Sequence, residues 1–378
     1  YEITEGDWSS DVCSSDLRHD GRAPDRLPEN ERRGGAGPSA MTRPVRQTRR
    51  VPGDRIAAVF EGSHGPRPAG GLSPLCRALY ADQTRSWPAL ARAEAELAGI
   101  RVRDLSSDGW SLKVQYNPAR LKSGTARVDP ASIAARPCFL CPAALPPEQR
   151  GILYREEYLI LCNPAPIFPA HFTIASLAHE PQAIEARLEA FLDLARDLGD
   201  GMTLFYNGPA CGASAPDHLH FQAAPAGAIP IEKDLAGRFD ARPAWGNNGV
   251  DRWGLVSWGR TLILIRGRER TPLAHAMRRL IAGGGTSPGS PDEAMLNLLA
   301  GHRRGEWRLC LFPRRRHRPA AYDRPDPERL LVSPGAVDMG GLIVAPRERE
   351  FTRLNAPMLR NIYQEVSSPP RADLLARE

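Results

Sequence analysis

The order in which extended and helical patterns follow one another constrains this chain most. Past Arg136, "GILYREEYLILCNP" and "HFTIAS" read as strands, and "PQAIEARLEAFLDLARDLG" spaces its apolar residues as an amphipathic helix closed by Gly199. "MTLFYN" and "DHLHFQA" are again strand-like. A similar order follows: "RWGLVSW" and "RTLILIRG" as a hairpin, helices near 272–282 and 291–300, "EWRLCLFP" and "GLIVAP" as strands, and a last helix near 355–366. Strand, strand, helix, strand, strand met twice predicts an α+β fold of two related halves, 136–240 and 241–370, each an antiparallel sheet with packed helices.

Upstream, residues 53–135 form an N-terminal segment of helix and strand, with ordered structure expected from about Val59. "ADQTRSWPALARAEAEL" has helical spacing with Pro88 near a helix start, and "WSLKVQYNP" alternates as a strand does. Residues 1–52 are set apart. "YEITEGDWSSDVCSSDL" resembles translated sequencing-adapter sequence, and the stretch after it is rich in Arg, Gly, Pro and Asp with too little apolar content to offset ordering. Met41 is a candidate start. "AGGGTSPGSPDE" reads as a flexible loop within the second half.

Composition narrows the function classes. At 378 residues and 42% hydrophobic the chain can bury a large core, yet no apolar run approaches the length of a membrane span, so a soluble cytoplasmic protein is expected. Seven cysteines, an odd number, point to reduced thiols or metal ligands and not to a disulfide framework. Arginine supplies nearly all the positive side of a net charge of +6, since lysine occurs only at 113, 122 and 233. Arginine suits phosphate, although a GC-rich genome supplies it for any cationic position. The arginines are not interleaved with aromatics and no RNA-binding signature is present, which argues against nucleic acid.

In "NGPACGASAPDHLHFQA" (207–223), strand alternation would set His218, His220 and Gln222 on one face and Leu219 and Phe221 toward the core. The small residues from Gly208 to Pro216 let backbone N–H groups approach a phosphate. Neutral imidazole is a good nucleophile toward phosphorus and can form a covalent intermediate. The same pair on a strand also serves as metal ligands or as structure.

The motif resembles the active site of the histidine-triad superfamily, in the branch that ends in Gln: galactose-1-phosphate uridylyltransferases, diadenosine polyphosphate phosphorylases and GDP-hexose phosphorylases. The resemblance implies two histidine-triad-like halves, His220 as nucleophile, Gln222 on the phosphoryl oxygens, and phosphate contacts from Asn207, Gly212 and Ser214. The loop before His218 is a residue longer than in the uridylyltransferases and carries Asp217, to which no role attaches. "HLHFQ" is closer to the GDP-hexose phosphorylases, and "QYNPARLKS" (115–123) resembles their upstream Gln, Asn and Arg signature, which adds Asn117 and Arg120 as substrate contacts.

Cys138 and Cys141 in "RPCFLCP" have zinc-ligand spacing, equally open to a redox pair or chance. The resemblance to bacterial uridylyltransferases implies that His179 and His218 complete a structural zinc site. His171 is either a nucleotide contact or a satisfied core histidine. "LFPRRRHRPAAY" sets four arginines and His317 within five residues at a strand end, which fits a phosphate ligand or a solvated basic loop. Alternation would send Arg314, Arg316 and Arg318 one way, and Arg314, His317 and Arg318 are the candidates for a second substrate. Small residues at Ser333, Gly335, Gly340 and Gly341 either admit a ligand or form turns.

The function expected is a nucleotidyltransferase working as a phosphorylase on a dinucleoside polyphosphate or nucleotide-sugar, through a nucleotidyl-histidine. Inorganic phosphate would be the acceptor, zinc the structural cofactor, and a homodimer is compatible. The alternatives are a nucleotide hydrolase of the same superfamily and a zinc-stabilised binding module without catalysis.

Overall fold

The computed structural model describes residues 51–62, 71–105, 109–121, 125, 128–240, 242–283, 286–287 and 290–369. Residues 1–50, Lys122, Ser123 and parts of the 282–293 loop, on all of which expectations were stated, lie outside the described residues.

Strands β1 (Ile56–Phe60), β2 (Arg101–Leu105) and β3 (Leu112–Tyr116) precede β4 (Gly151–Tyr154), β5 (Tyr158–Cys162), β6 (Phe172–Ser176), β7 (Met202–Asn207) and β8 (His220–Pro225). Then come β9 (Trp245–Asn247), β10 (Val250–Ser257), β11 (Arg260–Gly267), β12 (Thr286–Ser287), β13 (Ser290–Ala294), β14 (Leu296–Arg303), β15 (Glu306–Pro313) and β16 (Leu342–Ala345). The helices are α1 (Leu72–Ser86), α2 (Pro88–Ala98), α3 (Pro130–Ala134), α4 (Leu188–Leu198), α5 (Ile231–Leu235), α6 (Arg270–Ala282), α7 (Ala336–Met339), α8 (Glu348–Arg353) and α9 (Ala356–Val366).

The fold is α+β. Its main sheet has eleven strands in the order β1-β4-β5-β6-β8-β7-β14-β15-β11-β10-β9, all antiparallel neighbours except the parallel pair β1–β4. The chain lays down β4-β5-β6, crosses through α4, and returns with β7 and β8 exchanged in position. It then lays down β9-β10-β11, crosses through α6, and returns with β14 and β15 in the mirrored arrangement. The two sets meet where β7 pairs with β14, from Asn207 opposite Asn297 to Leu204 opposite Ala300. A three-stranded sheet, β16-β3-β2, accompanies the main one.

Alternation assigns the two faces. Tyr206, Phe221, Leu298 and Leu311 pack with Leu72, Phe191, Leu192 and Met277 of the helices α1, α4 and α6. On the other face Phe205, Leu264, Leu299 and Phe312 pack with Val337, Ile343, Leu359 and Tyr363. Phe221 meets the rings of Tyr158, Phe191 and Tyr206, so truncating it would cost about 3–5 kcal/mol. It thereby fastens the strand that holds His220. Among the described residues no helix is long and apolar enough to cross a membrane.

Two expectations need correction. Residues 291–300 are strand, in β13 and β14, not helix. Leu298 and Ala300 bury into one layer and Leu299 into the other, and a central strand buried on both faces gives a continuous apolar run that periodicity cannot tell from a helix. The helix expected from Pro181 instead starts at Leu188, after a short turn at Glu185–Arg187. It stops at Gly199, whose φ of 64° favours glycine.

Candidate active site and metal-ligand cluster

Four ligand atoms from three segments converge before β8. Cys138, Cys141, His179 and His218 each present one, all within 4.8 Å of one another. His218 Nε2–H donates to the Ser176 carbonyl (2.7 Å), so Nδ1 keeps its lone pair and lies 3.3 Å from Cys138 Sγ and 3.7 Å from Cys141 Sγ. Burial lowers the His218 pKa, which favours that neutral form. His179 Nδ1 lies 3.4 Å from Cys141 Sγ. The set can hold one tetrahedral metal ion.

This geometry corrects the picture of one strand face with three residues. His218 stands outside β8, in a turn where its N–H donates to the Ala215 carbonyl, so alternation applies only to His220 and Gln222. Asp217, left without a role by sequence, pairs with Arg136 at 3.0 Å, and the same guanidinium reaches the Ser214 carbonyl at 3.4 Å. The pair ties the loop to the segment that bears the two cysteines.

His220 is 4% exposed, and its Nδ1–H donates to the His218 carbonyl at 2.9 Å. That assigns the lone pair to Nε2, which has no partner among the described residues. Burial pushes the pKa down to about 4, so the ring is unprotonated near neutral pH. Two residues on, Gln222 stands opposite Thr173 of β6 and Phe205 of β7.

His171 determines which end of the Gln222 amide is free. Ile167 N–H donates to His171 Nδ1 (3.3 Å), so the proton is on Nε2 and donates to Gln222 Oε1 at 3.0 Å. With its carbonyl engaged, Gln222 retains N–H donors for a ligand. Burial first, then the charge of Arg120, lowers His171 to about 3, which keeps this pattern across the physiological range. The ring also stacks on Phe205 at 5.8 Å.

The upstream signature supports the same loop. Gln115 Nε2–H donates to Ile167 O (3.0 Å), Asn117 Nδ2–H to Pro166 O (3.2 Å), and Arg120 Nη1–H to Ala165 O (2.8 Å). Three side chains of β3 and the turn after it thus hold three successive carbonyls ahead of His171. Asn117 and Arg120, expected as substrate contacts, here hold the backbone ahead of His171, whose Nε2–H in turn meets Gln222.

Asn207, at the end of β7, is buried and faces the second set of strands. Its Oδ1 accepts from Asn297 Nδ2–H (2.9 Å) and from the Ala336 N–H at the start of α7 (2.7 Å). Gly212 has φ of 99°, and a Cβ on it would stand 2.8 Å from the Gly335 Cα. Its place is therefore set by close contact with the Pro334–Gly335 turn. Ser214 is half-buried in the same loop.

Arg314 departs from expectation. It is fully buried, and all five N–H groups are engaged: with Asn297 Oδ1 (2.5 Å) and the carbonyls of Pro334 (2.8 Å), Arg316 (3.1 Å), His317 (3.0 Å) and Val366 (3.2 Å). No donor is left for a substrate. The strand also ends at Pro313, so the alternation expected for Arg314, Arg316 and Arg318 does not extend past it. Arg315 donates to the Gln364 and Glu365 carbonyls at the end of α9 and Arg316 pairs with Glu365 (3.5 Å), which disperses the charge of the run. His317 Nε2 and Arg318 Nε both meet Ser333 Oγ, at 3.0 and 3.1 Å. Burial, with Arg318 and Arg314 adding to it, pushes His317 down to about 3, so it is neutral.

Two residues that shape the site escaped the sequence reading. Asn297 joins Arg314 to Asn207; a lone Asn in the apolar run "MLNLLAG" was a usable signal, lost because that run was read as helix. Gln182 bonds to both His220 and Asn207, and nothing in "HEPQAI" marks it.

A family model described as a domain of unknown function, DUF4922, matches residues 79–225. Comparison with curated proteins finds no match. The solved structures similar to this chain include yeast Ap4A phosphorylase Apa2 in complex with Ap4A, at 16% identity and a TM-score of 0.47 over 78% of this chain and 98% of that one. They also include a GalT-like protein from Arabidopsis thaliana, at 13% identity and a TM-score of 0.30 over 70% of this chain and 99% of that one. A DUF4931 family protein from Bacillus cereus is similar at 14% identity and a TM-score of 0.31, over 49% of this chain and 93% of that one.

Proposed function

We propose that the chain is a nucleotidyltransferase that works as a phosphorylase on a dinucleoside polyphosphate or a nucleotide-sugar, with His220 as nucleophile. One observation carries the reading. A neutral, buried imidazole with a free Nε2 sits two residues from an amide whose donors are held available by His171.

His220 Nε2 attacks the α-phosphorus, the bond from that phosphorus to the bridging oxygen breaks, and the leaving phosphate keeps the electron pair. Gln222 N–H groups and the loop of Asn207, Gly212 and Ser214 hold the negative charge on the phosphoryl oxygens. Inorganic phosphate then attacks the same phosphorus, the N–P bond breaks, and His220 returns to its neutral form. His317 and Arg318, bridged by Ser333, are the proposed contacts for the acceptor, and Asn117, Arg120 and His171 orient Gln222.

The metal proposed for the cysteine–histidine cluster is zinc. Bonds of about 2.3 Å to sulfur and about 2.0–2.1 Å to nitrogen give a tetrahedral sulfur–nitrogen edge of about 3.5 Å, and the separations of 3.3, 3.4 and 3.7 Å lie close to it. Two thiolates and two imidazoles fill the shell, so when bound the ion supplies a structural cross-link and leaves no open position for chemistry.

The test is intact-mass measurement after incubation with diadenosine tetraphosphate and with GDP-, UDP- and ADP-sugars. A gain of one nucleoside monophosphate, absent in His220→Ala and discharged as a nucleoside diphosphate on adding phosphate, is the expected result. Monophosphate released without added phosphate would indicate a hydrolase. No adduct with any of these compounds, together with unchanged nucleotide affinity in His220→Ala, would leave a binding module.

A further inference from the structure

β7 and β8 pair from Met202 opposite Pro225 to Phe205 opposite Gln222, and there the pairing stops. Both neighbours continue. β7 stays paired with β14 as far as Asn207, and β8 stays paired with β6 as far as His220. Only the seam between β7 and β8 opens, at the two residues on which the proposed chemistry depends.

Register shows what is missing. Continuing the pairing places Asn207 opposite His220. The contact of Ala226 N–H with the Gly201 carbonyl (3.2 Å) marks this series, two residues apart along each strand, as the one that exchanges backbone hydrogen bonds across the seam. A regular ladder would therefore bond His220 N–H directly to the Asn207 carbonyl. Instead the carboxamide of Gln182 occupies the gap: Oε1 accepts from His220 N–H (2.8 Å), while Nε2–H groups donate to the His220 carbonyl (3.0 Å) and the Asn207 carbonyl (2.9 Å).

Gln182 is itself fixed. It is 1% exposed, its N–H donates to the Pro216 carbonyl at 3.1 Å, and its carbonyl accepts from Tyr206 Oη–H at 3.2 Å. The Tyr206 hydroxyl is also 2.7 Å from Glu293 Oε1. All three hydrogen bonds of the side-chain amide go to backbone of the two parted strands, and none goes elsewhere among the described residues.

We infer that Gln182 is a positioning residue, a side-chain wedge that parts β7 from β8 and sets the spacing between the nucleophile and the phosphate loop. By satisfying both backbone groups of His220, the wedge holds that residue as a paired strand would. By holding the Asn207 carbonyl away from β8, it lets the Asn207 side chain turn to Ala336. Spacing matters because a displacement of about 1 Å at a reacting pair can lower a rate about 100-fold.

The inference rests on the proposal that His220 is the nucleophile, so the experiment reads two quantities. Gln182→Met keeps length and burial but removes the amide. Hydrogen–deuterium exchange resolved to the His220 amide reports the wedge without reference to activity, and the single-turnover rate of nucleotidyl transfer to histidine reports its consequence. The loss of three buried hydrogen bonds should lower the thermal midpoint by about 10 °C, and at a temperature where both proteins are folded the variant should keep the parental metal content, bind nucleotide within about threefold, exchange the His220 amide at least about tenfold faster, and label about 100-fold more slowly. Gln182→Glu, which can accept from the His220 N–H but sets a carboxylate against two carbonyls, should label no faster than Gln182→Met. Parental exchange and labelling in Gln182→Met would overturn the inference, as would a labelling loss that only tracks metal loss or unfolding. If the parent protein labels no histidine, the function proposed above fails, while the exchange rate still decides whether Gln182 holds the seam.

Discussion

Arg314→Met separates a structural from a ligand-binding arginine. The parent side chain is fully buried with five N–H groups on five oxygens, which belong to Asn297, Pro334, Arg316, His317 and Val366. Adding about 1.5–3 kcal/mol for each bond to a charged group overshoots, because burying the guanidinium costs several kcal/mol. The measurable quantity is the cost of leaving those acceptors buried without donors, about 3–5 kcal/mol. At about 2–4 °C per kcal/mol for a chain of this order of size, the thermal midpoint should fall by about 10 °C. Urea and thermal denaturation followed by circular dichroism measure it, with phosphate and nucleotide affinity taken by calorimetry at a temperature where both proteins are folded. Arg318→Met provides the contrast: its guanidinium lies over the Tyr322 ring at 4.1 Å, so stability should fall by no more than about 1 kcal/mol while phosphate affinity drops. If Arg314→Met unfolds within 1 kcal/mol of the parent yet loses phosphate binding, the assignment of Arg314 to structure is wrong.

Other outcomes follow from the same contacts. Purified protein should hold one equivalent of divalent metal by elemental analysis, and Cys141→Ser should lose it together with thermal stability; full retention would refute the four-ligand site. Gly212→Ala puts a Cβ 2.8 Å from the Gly335 Cα at a φ of 99°, so it should cost about 1–3 kcal/mol and weaken nucleotide binding by calorimetry, whereas parental values would show that the turn yields freely. Burial raises Glu293 to about 7, above its unfolded value of 4.5, so its folded state retains the proton longer. Its contribution is complete below pH 4.5 and is lost as pH rises through 7. Urea midpoints at pH 5 and pH 8 should therefore differ less in Glu293→Gln than in the parent, and equal slopes would exclude Glu293 as the cause.

The candidate residues were legible because each type suggests a use. A C-x-x-C, an H-x-H-x-Q and a run of small residues are short-range patterns, and the structure brings Cys138, Cys141, His179 and His218 within ligand distance as their types suggest. The sheet was legible wherever one strand length of apolar residues ended in a turn. It failed at 291–300, where burial on both faces erased the period, and that error also concealed Asn297.

What sequence could not convey is which polar groups satisfy one another. Arg314 and Arg318 are four residues apart in one basic run, yet one ends on five buried oxygens and the other lies over an aromatic ring beside Ser333. Gln182 and Gln222 are the same residue type, yet one holds open the strand that the other lies on. Such differences depend on partners tens of residues away: Asn207 meets Ala336, Gln115 meets Ile167, and Gln182 meets His220. A buried polar group must find a partner wherever the fold supplies one, so its role is decided by tertiary register and not by its neighbours in sequence. The proposed nucleophile follows this rule too: the type of His220 suits the chemistry, but its free Nε2 depends on a carbonyl two residues back and on a carboxamide that replaces a missing ladder bond.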